Sequence, residues 1–342
     1  MKSKRIIYVD VIRDVAMLAV VFIHTCSNMV VSGQGSILWA PANILETISE
    51  IAVPLFYMIS GVTILNSSKT RDLKYLFKHR IVRIVVPFIL WSIISAFSFQ
   101  ITGDGFKLDL ILKKIAMMFN QPVIMAFWFL YPLIGFYLLS PAIKAFIDGA
   151  SKSVINYILV LWYITNIFLP GIVASLPPEY GVYFNAYSSV FMFLCNMGGY
   201  FILGYKLSNI DKEKINLKLH TSIFSIGMLV AIINMYIVHR YALEQKPLAG
   251  FPTAILLPIL AGSLFLILKK FEGKYPVKLQ VVVEWVAPLT YGIYLIHGIV
   301  IALVQSIIDP MKYVFVFPVA IVICIVSVWI MSKIPIVNKY LM

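Results

Sequence analysis

The ionisable residues that could do chemistry are concentrated in one apolar run. DVIRDVAMLAVVFIH carries Asp10, Arg13, Asp14 and His24, and a charge held inside a membrane-length segment costs about 3 kcal/mol unless it is paired or wet. On an α-helix the step from Arg13 to His24 turns through ~1100°, about 20° past three full turns, and rises ~16 Å. Both side chains therefore share a face at two depths. Asp10 stands three residues before Arg13, on nearly the same stripe and within pairing reach of the guanidinium. The planar fork of arginine matches phosphate, and an imidazole that titrates near neutrality can take a proton from a hydroxyl. Together they suit an anion anchor and a general base along one threaded ligand. The plainer reading has Arg13 snorkelling to lipid phosphate and His24 satisfying a neighbouring carbonyl.

Other groups add to this pair. KTRDLKYLFKHRIVRIVVPF places Lys78, Arg80 and Arg83 at the mouth of the third apolar run. Such a cluster can hold the polyphosphate of coenzyme A or a nucleotide, or it can serve only to orient the chain in the bilayer. Glu46 and Glu50, one turn apart in the second run, fall at roughly the depth of His24. A carboxylate there either orients the imidazole or faces the outer water. PLFYMISG, from Pro54 to Gly61, combines a kink, the Ser60 hydroxyl and a glycine that permits close approach, so it reads as a packing joint first and a ligand contact second. In LTYGIYLIHGIV, Tyr291, Tyr294 and His297 spread over about 240° and cannot all face one site, whereas Tyr294 and His297 can. Trp128 in AFWFLYPL is either a belt anchor or a ligand contact.

Cys26, Cys195 and Cys324 lie far apart without CxxC or Cys/His ligand spacing. They read as packing residues, and no metal site is expected. The chain lacks a GxSxG elbow, a P-loop, HExxH and a Gly-rich phosphate fingerprint. Covalent serine catalysis is therefore without its usual sign.

The elements that position these groups follow from composition. Of 342 residues, 61% are apolar and 13% charged, with a mean hydropathy of +0.92. A soluble domain has roughly 45–50% apolar and ~25% charged residues, so the solvent is lipid. Apolar runs at 6–31, 44–66, 81–101, 123–143, 153–170, 186–206, 221–240, 250–269, 283–306 and 312–334 predict a bundle of ten transmembrane helices. The expected fold is an all-α membrane protein forming one domain over 1–342, with no separate soluble domain. The first run is too long for a secretory signal and is expected to be retained.

Lys and Arg set the orientation. With the N-terminus cytoplasmic, 21 of them fall inside and six outside, Arg13 being within a span. That bias places both termini in the cytoplasm. The net charge of +13 is then mostly an orientation signal, and no folded basic domain remains to bind nucleic acid. FKLDLILKKIAMMF, from Phe106 to Phe119, is either a short interfacial helix or a connector. Pro54, Pro87, Pro132, Pro258 and Pro288 interrupt spans and predict kinks. No internal repeat is visible, which counts against an inverted-repeat transporter fold.

Several stretches resemble the integral-membrane acyltransferase-3 family, which includes the enterobacterial common antigen O-acetyltransferase and the membrane halves of peptidoglycan O-acetyltransferases. They are DVIRDVAMLAVVFIH, VPLFYMISG, FKHRIVRIVVPF, FWFLYPLIGFYLLSP, GYFILGYKL and YGIYLIHGIV, in family order over nearly the whole chain. Arg13, ten residues and His24 is the family signature. The resemblance implies transfer of an acyl group, usually acetyl, from cytoplasmic acetyl-CoA to a hydroxyl of a cell-envelope glycan or glycolipid. His24 would be the catalytic base, with Arg13 its partner in a binding tunnel. Arg80 and Arg83 would contact the coenzyme's phosphates. Tyr294 and His297 match a late motif whose role is open.

Phe127 stands where many members carry a histidine, and Glu50 is outside the family pattern, so a Glu50–His24 pairing rests on depth alone. The length leaves no room for the extracytoplasmic domain that finishes transfer in the peptidoglycan enzymes. Either the chain acylates its acceptor directly or a separate extracytoplasmic transferase completes the task. The competing expectation from buried charge is a transporter or flippase for a small solute or lipid-linked carrier.

Overall fold

The computed structural model describes residues 5–101, 107–173, 197–243 and 249–341. Among them every regular element is helical and none is a strand. Lipid satisfies no backbone group, so a spanning segment has to bond within itself. Nine stretches of the described residues are long and apolar enough to cross a bilayer, which makes the chain a multi-pass membrane protein. The tenth expected span, 186–206, lies partly outside the described residues, as do Lys2, Lys4, Phe106, Cys195 and Lys246.

In chain order the principal helices are α1 (Ile7–Ser32), α2 (Trp39–Ser49), α3 (Ala52–Leu65), α4 (Val82–Ile101), α5 (Leu108–Met117), α6 (Leu130–Gly149), α7 (Lys152–Tyr163), α8 (Gly198–Ser208), α9 (Leu217–Arg240), α10 (Phe251–Lys270), α11 (Val277–Val286), α12 (Thr290–Gln305) and α13 (Tyr313–Ser332). The helix that carries the chemistry is also the hub of the bundle. α1 contacts α2, α3, α10, α11, α12 and α13, and Ile12, Ala16 and Val21 on it are wholly buried. The carboxylates of Asp10 and Asp14 on this helix are buried within the protein.

Some spans begin earlier than their apolar runs. The third starts at Leu73, where the Asp72 carboxylate accepts the Tyr75 N–H at 3.0 Å and caps the first turn. A π-helical stretch, Leu76–Ile81, then leads into α4. The segment expected as either an interfacial helix or a connector is helical as α5, with Ile111 buried while Leu108, Leu110 and Leu112 stay exposed.

Prolines shape the spans unequally. Each removes the N–H that would bond the carbonyl four residues earlier. At Pro54 the second span divides into α2 and α3, with Glu50 at the division. At Pro288 a 3-10 turn, Ala287–Leu289, separates α11 from α12. Helices α4 and α10 run on through Pro87 and Pro258. Pro132 lies in the first turn of α6, where a missing donor costs least. Pro141 and Pro318 also lie inside helices. Pro170, which closes the fifth apolar run, follows a π-helical stretch at Ile164–Phe168.

Helices α3 and α8 cross at contact distance. A Cβ on Gly61 would lie 1.8 Å from the Phe201 carbonyl oxygen, and one on Gly204 would lie 2.1 Å from that of Met58. The packing joint expected at PLFYMISG is this crossing. Below it, the buried ammonium of Lys269 on α10 donates to the carbonyls of Leu207 at 3.0 Å, Ser208 at 2.5 Å and Ile210, which closes the C-terminal end of α8.

Candidate active site

Arg13 is anchored before it meets any ligand. One carboxylate oxygen of Asp10 accepts from Arg13 Nη1 at 2.7 Å and the other from Arg5 Nε at 2.5 Å. Asp10 is almost fully buried, whereas Arg13 keeps part of its surface open. Arg13, Ser60, Arg83 and Tyr137 line a cavity of about 290 Å³ between α1, α3, α4, α6 and α12. The walls are held in register by Tyr291, whose hydroxyl donates to the Ile84 carbonyl at 3.0 Å.

The basic cluster divides. Arg83 reaches this cavity. Arg80 instead donates to the Thr70 hydroxyl at 2.9 Å and stacks over the Tyr75 ring at 5.6 Å, and Lys78 is exposed outside the lining. The π-helical stretch is the physical reason. Its wider turn shifts the register of residues 76–81 away from that of an α-helix, so spacing alone does not place Arg80 beside Arg83.

A second cavity, of about 510 Å³, is lined by His24, Glu50, Trp128, Asn166, Tyr200 and Tyr294 among mainly apolar neighbours. His24 and Glu50 thus open into one space, although no hydrogen bond joins them among the described residues. Pro54 and Pro170 line it too, as do Ala254 and Trp128. Glu50, Trp128, Asn166 and Ala254 each stand four residues before a proline, on four separate spans. Four carbonyls around one cavity therefore lack their α-helical donor. A lone amide four residues before a proline, as in ITNIFLP, was a signal for Asn166 that charge-based reading passes over.

The two cavities share a wall. Phe129 and Tyr294 line both, with ring centroids 5.5 Å apart and planes at 61°. The Tyr294 hydroxyl donates to the Ala126 carbonyl, and the Tyr57 hydroxyl donates to the Phe129 carbonyl at 2.9 Å. The sequence suggests one continuous passage past Arg13 and His24; in the structure these side chains occupy two compartments with an aromatic partition between them. Tyr57 and Phe129 lie inside stretches that carry the family resemblance, but neither bears a charge that would single it out for this task.

His297 lines neither cavity. It is completely buried, with its ring 5.2 Å from that of His24. Asp14 is also buried outside both cavities, and its Oδ1 has no hydrogen-bond partner among the described residues. Phe127, the residue in the position of a familiar histidine, is fully buried against Phe88. Cys26 and Cys324 are free and buried. No group of three or more His, Cys, Asp or Glu able to hold a metal occurs among the described residues.

Comparison with known families gives a match over residues 6–333 to the acyltransferase-3 model, described as an acyltransferase domain. No curated protein and no solved structure matches the chain.

Proposed function

Since this chain belongs to the acyltransferase-3 family and is a membrane acyltransferase, we propose that it takes an acetyl group from cytoplasmic acetyl-CoA and transfers it to a hydroxyl of a cell-envelope glycan or glycolipid. The observation that carries this reading is the pair of adjoining cavities, cationic on the Arg13 side and basic on the His24 side, with Phe129 and Tyr294 lining both. The coenzyme's phosphates sit against Arg13 and Arg83, with both termini of the chain on the same, cytoplasmic side. The pantetheine arm extends along α1 toward His24, over a rise of ~16 Å. Arg80 and Lys78, set back from the cavity, contribute field rather than contact.

His24 acts on the acceptor hydroxyl. It takes the proton as the oxygen attacks the thioester carbonyl, the carbon–oxygen bond forms, the carbon–sulfur bond breaks, and the proton passes from the imidazolium to the departing thiolate. Glu50 lines the same space and stabilises the imidazolium while it lasts. Ser60 and Trp128 contact the two substrates from the walls. Water is kept from the thioester because the cavity that receives it is mainly apolar.

The test is incorporation of labelled acetate from acetyl-CoA into envelope glycans by cells carrying wild type or His24→Ala at equal protein level. Loss of a general base lowers the rate by about 10²–10⁴-fold. Mass spectrometry of the same polymers should show one acetyl increment per site only with the wild-type chain. Equal incorporation by the two chains would end the proposal. Solute movement in liposomes that is indifferent to His24→Ala, without consumption of acetyl-CoA, would instead mark a transporter.

A further inference from the structure

His297 is a buried titratable residue to which the steps above give no task. Its Nδ1 lies 2.5 Å from the carbonyl oxygen of Tyr294, one turn back along α12. A carbonyl only accepts, so Nδ1 carries the proton. A neutral imidazole has a single N–H, which leaves the lone pair on Nε2. That atom is buried and has no hydrogen-bond partner among the described residues.

The ring beside it is His24. The two centroids are 5.2 Å apart and the planes meet at 40°. No hydrogen bond joins the two rings as they stand, but at this separation a small turn of the His24 ring brings one of its nitrogens within hydrogen-bond reach of Nε2. His24 has no hydrogen bond of its own among the described residues, and it lines the cavity that Glu50 shares. A base needs a bare nitrogen toward the substrate, and which nitrogen is bare is decided by what the other one bonds.

We propose that His297 is the positioning residue of His24. When the His24 ring turns toward it, Nε2 accepts the His24 N–H and so selects the tautomer whose unprotonated nitrogen faces the acceptor hydroxyl. His297 takes no proton in the transfer, because its own N–H stays on the Tyr294 carbonyl. Glu50 does not fill this role; it lines the same cavity without a hydrogen bond to the imidazole. This assignment rests on the acyl-transfer reading of the same site.

The experiment uses the full chain in membrane vesicles, with radiolabelled acetyl-CoA as the probe and label in the vesicle glycan fraction as the readout. His297→Met keeps the bulk and removes the acceptor. His297→Gln can place an amide oxygen near the position of Nε2, and His297→Asn is too short to reach it. The expected result is a kcat for His297→Met at least tenfold below wild type with the KM for acetyl-CoA within twofold. His297→Gln should recover most of the loss, and His297→Asn little of it. A His297→Met chain as fast as wild type, or Gln and Asn variants of equal rate, would overturn the assignment. If the Met variant does not accumulate, the Gln–Asn comparison decides alone. Wild type without transfer, or His24→Ala with full transfer, would remove the acyl-transfer reading and the His297 role together. An inert His24→Ala beside unaffected His297 variants removes only the latter.

Discussion

Asp10 and Arg13 form an ion pair at 2.7 Å within a single turn of α1, and the second oxygen of the same carboxylate is taken by Arg5 at 2.5 Å. The carboxylate is nearly buried, so the guanidinium is held in one direction, with its remaining donors left for an anion in the cavity. Lysine offers charge without the fork. Arg13→Lys is therefore expected to raise the KM for acetyl-CoA about tenfold, the equivalent of ~1.4 kcal/mol, with a smaller change in kcat. Lys78→Ala, outside the lining, should leave both constants within twofold. Steady-state kinetics over an acetyl-CoA series reads the contrast, and equal effects from the two substitutions would contradict the geometry.

The partition gives a second expectation. Tyr294→Phe removes one hydroxyl and its bond to the Ala126 carbonyl, at a net cost of about 1 kcal/mol. The wall should loosen while the fold survives. Acetyl-CoA hydrolysis without acceptor is expected to rise severalfold, measured as free thiol released by the purified protein. An unchanged background rate would mean that the hydroxyl does not hold the wall shut.

Pro170→Ala restores the N–H that the Asn166 carbonyl lacks. The fifth span is expected to straighten and gain stability, with a higher unfolding temperature in detergent. Transfer activity should fall, because Asn166 is carried at the edge of the His24 cavity by the wider π turn. A variant both more stable and fully active would detach the turn from the chemistry.

Gly61→Ala drives a methyl group into the Phe201 carbonyl, 1.8 Å from the nearest oxygen. Overpacking at such a crossing costs about 1–3 kcal/mol. The expected outcome is a lower melting temperature and less folded protein, with Gly61→Ser at least as harmful. Normal yield of both variants would contradict this packing of α3 on α8.

Lys269→Met tests the other support of α8. It removes three donors from the carbonyls of Leu207, Ser208 and Ile210, and a loss of about 2 kcal/mol is expected from carbonyls left unpaired. Specific activity per folded molecule should not change, since Lys269 lines neither cavity. Chemical denaturation and turnover on the same preparation separate the two effects.

Much of this arrangement could be read from residue types. Period and charge placed Asp10, Arg13 and His24 on one helix, and the Asp10–Arg13 pair forms as their spacing requires. Counting from the outer boundary set Glu50 at the depth of His24, and both open into one cavity. The parts that escaped depend on local departures from α geometry. A π-helical stretch directs Arg80 to Thr70 and Arg83 to the cavity, which a uniform turn of 100° per residue does not reproduce. The division at Glu50 follows from Pro54, but only the pooled register of four spans shows that Glu50, Trp128, Asn166 and Ala254 meet. Tyr294 and His297 are a turn apart and were expected to face one site; packing sends Tyr294 into both cavities and His297 behind them. Phe129 sits in a stretch that resembles the family but offers no chemical signal of its own, because an aromatic residue in an apolar span is the commonest thing to find there.

The aromatic partition also bears on the membrane as an insulator. An elementary charge crossing a bilayer at 100 mV releases ~2.3 kcal/mol, so a water column running the length of α1 would short-circuit the gradients the cell spends fuel to maintain. If the chain transfers an acyl group between the two sides as proposed, the two rings, pinned by Ala126 and Tyr57, stand where a continuous water column would otherwise form. On that reading the partition would let the enzyme act across a charged membrane without behaving as a pore.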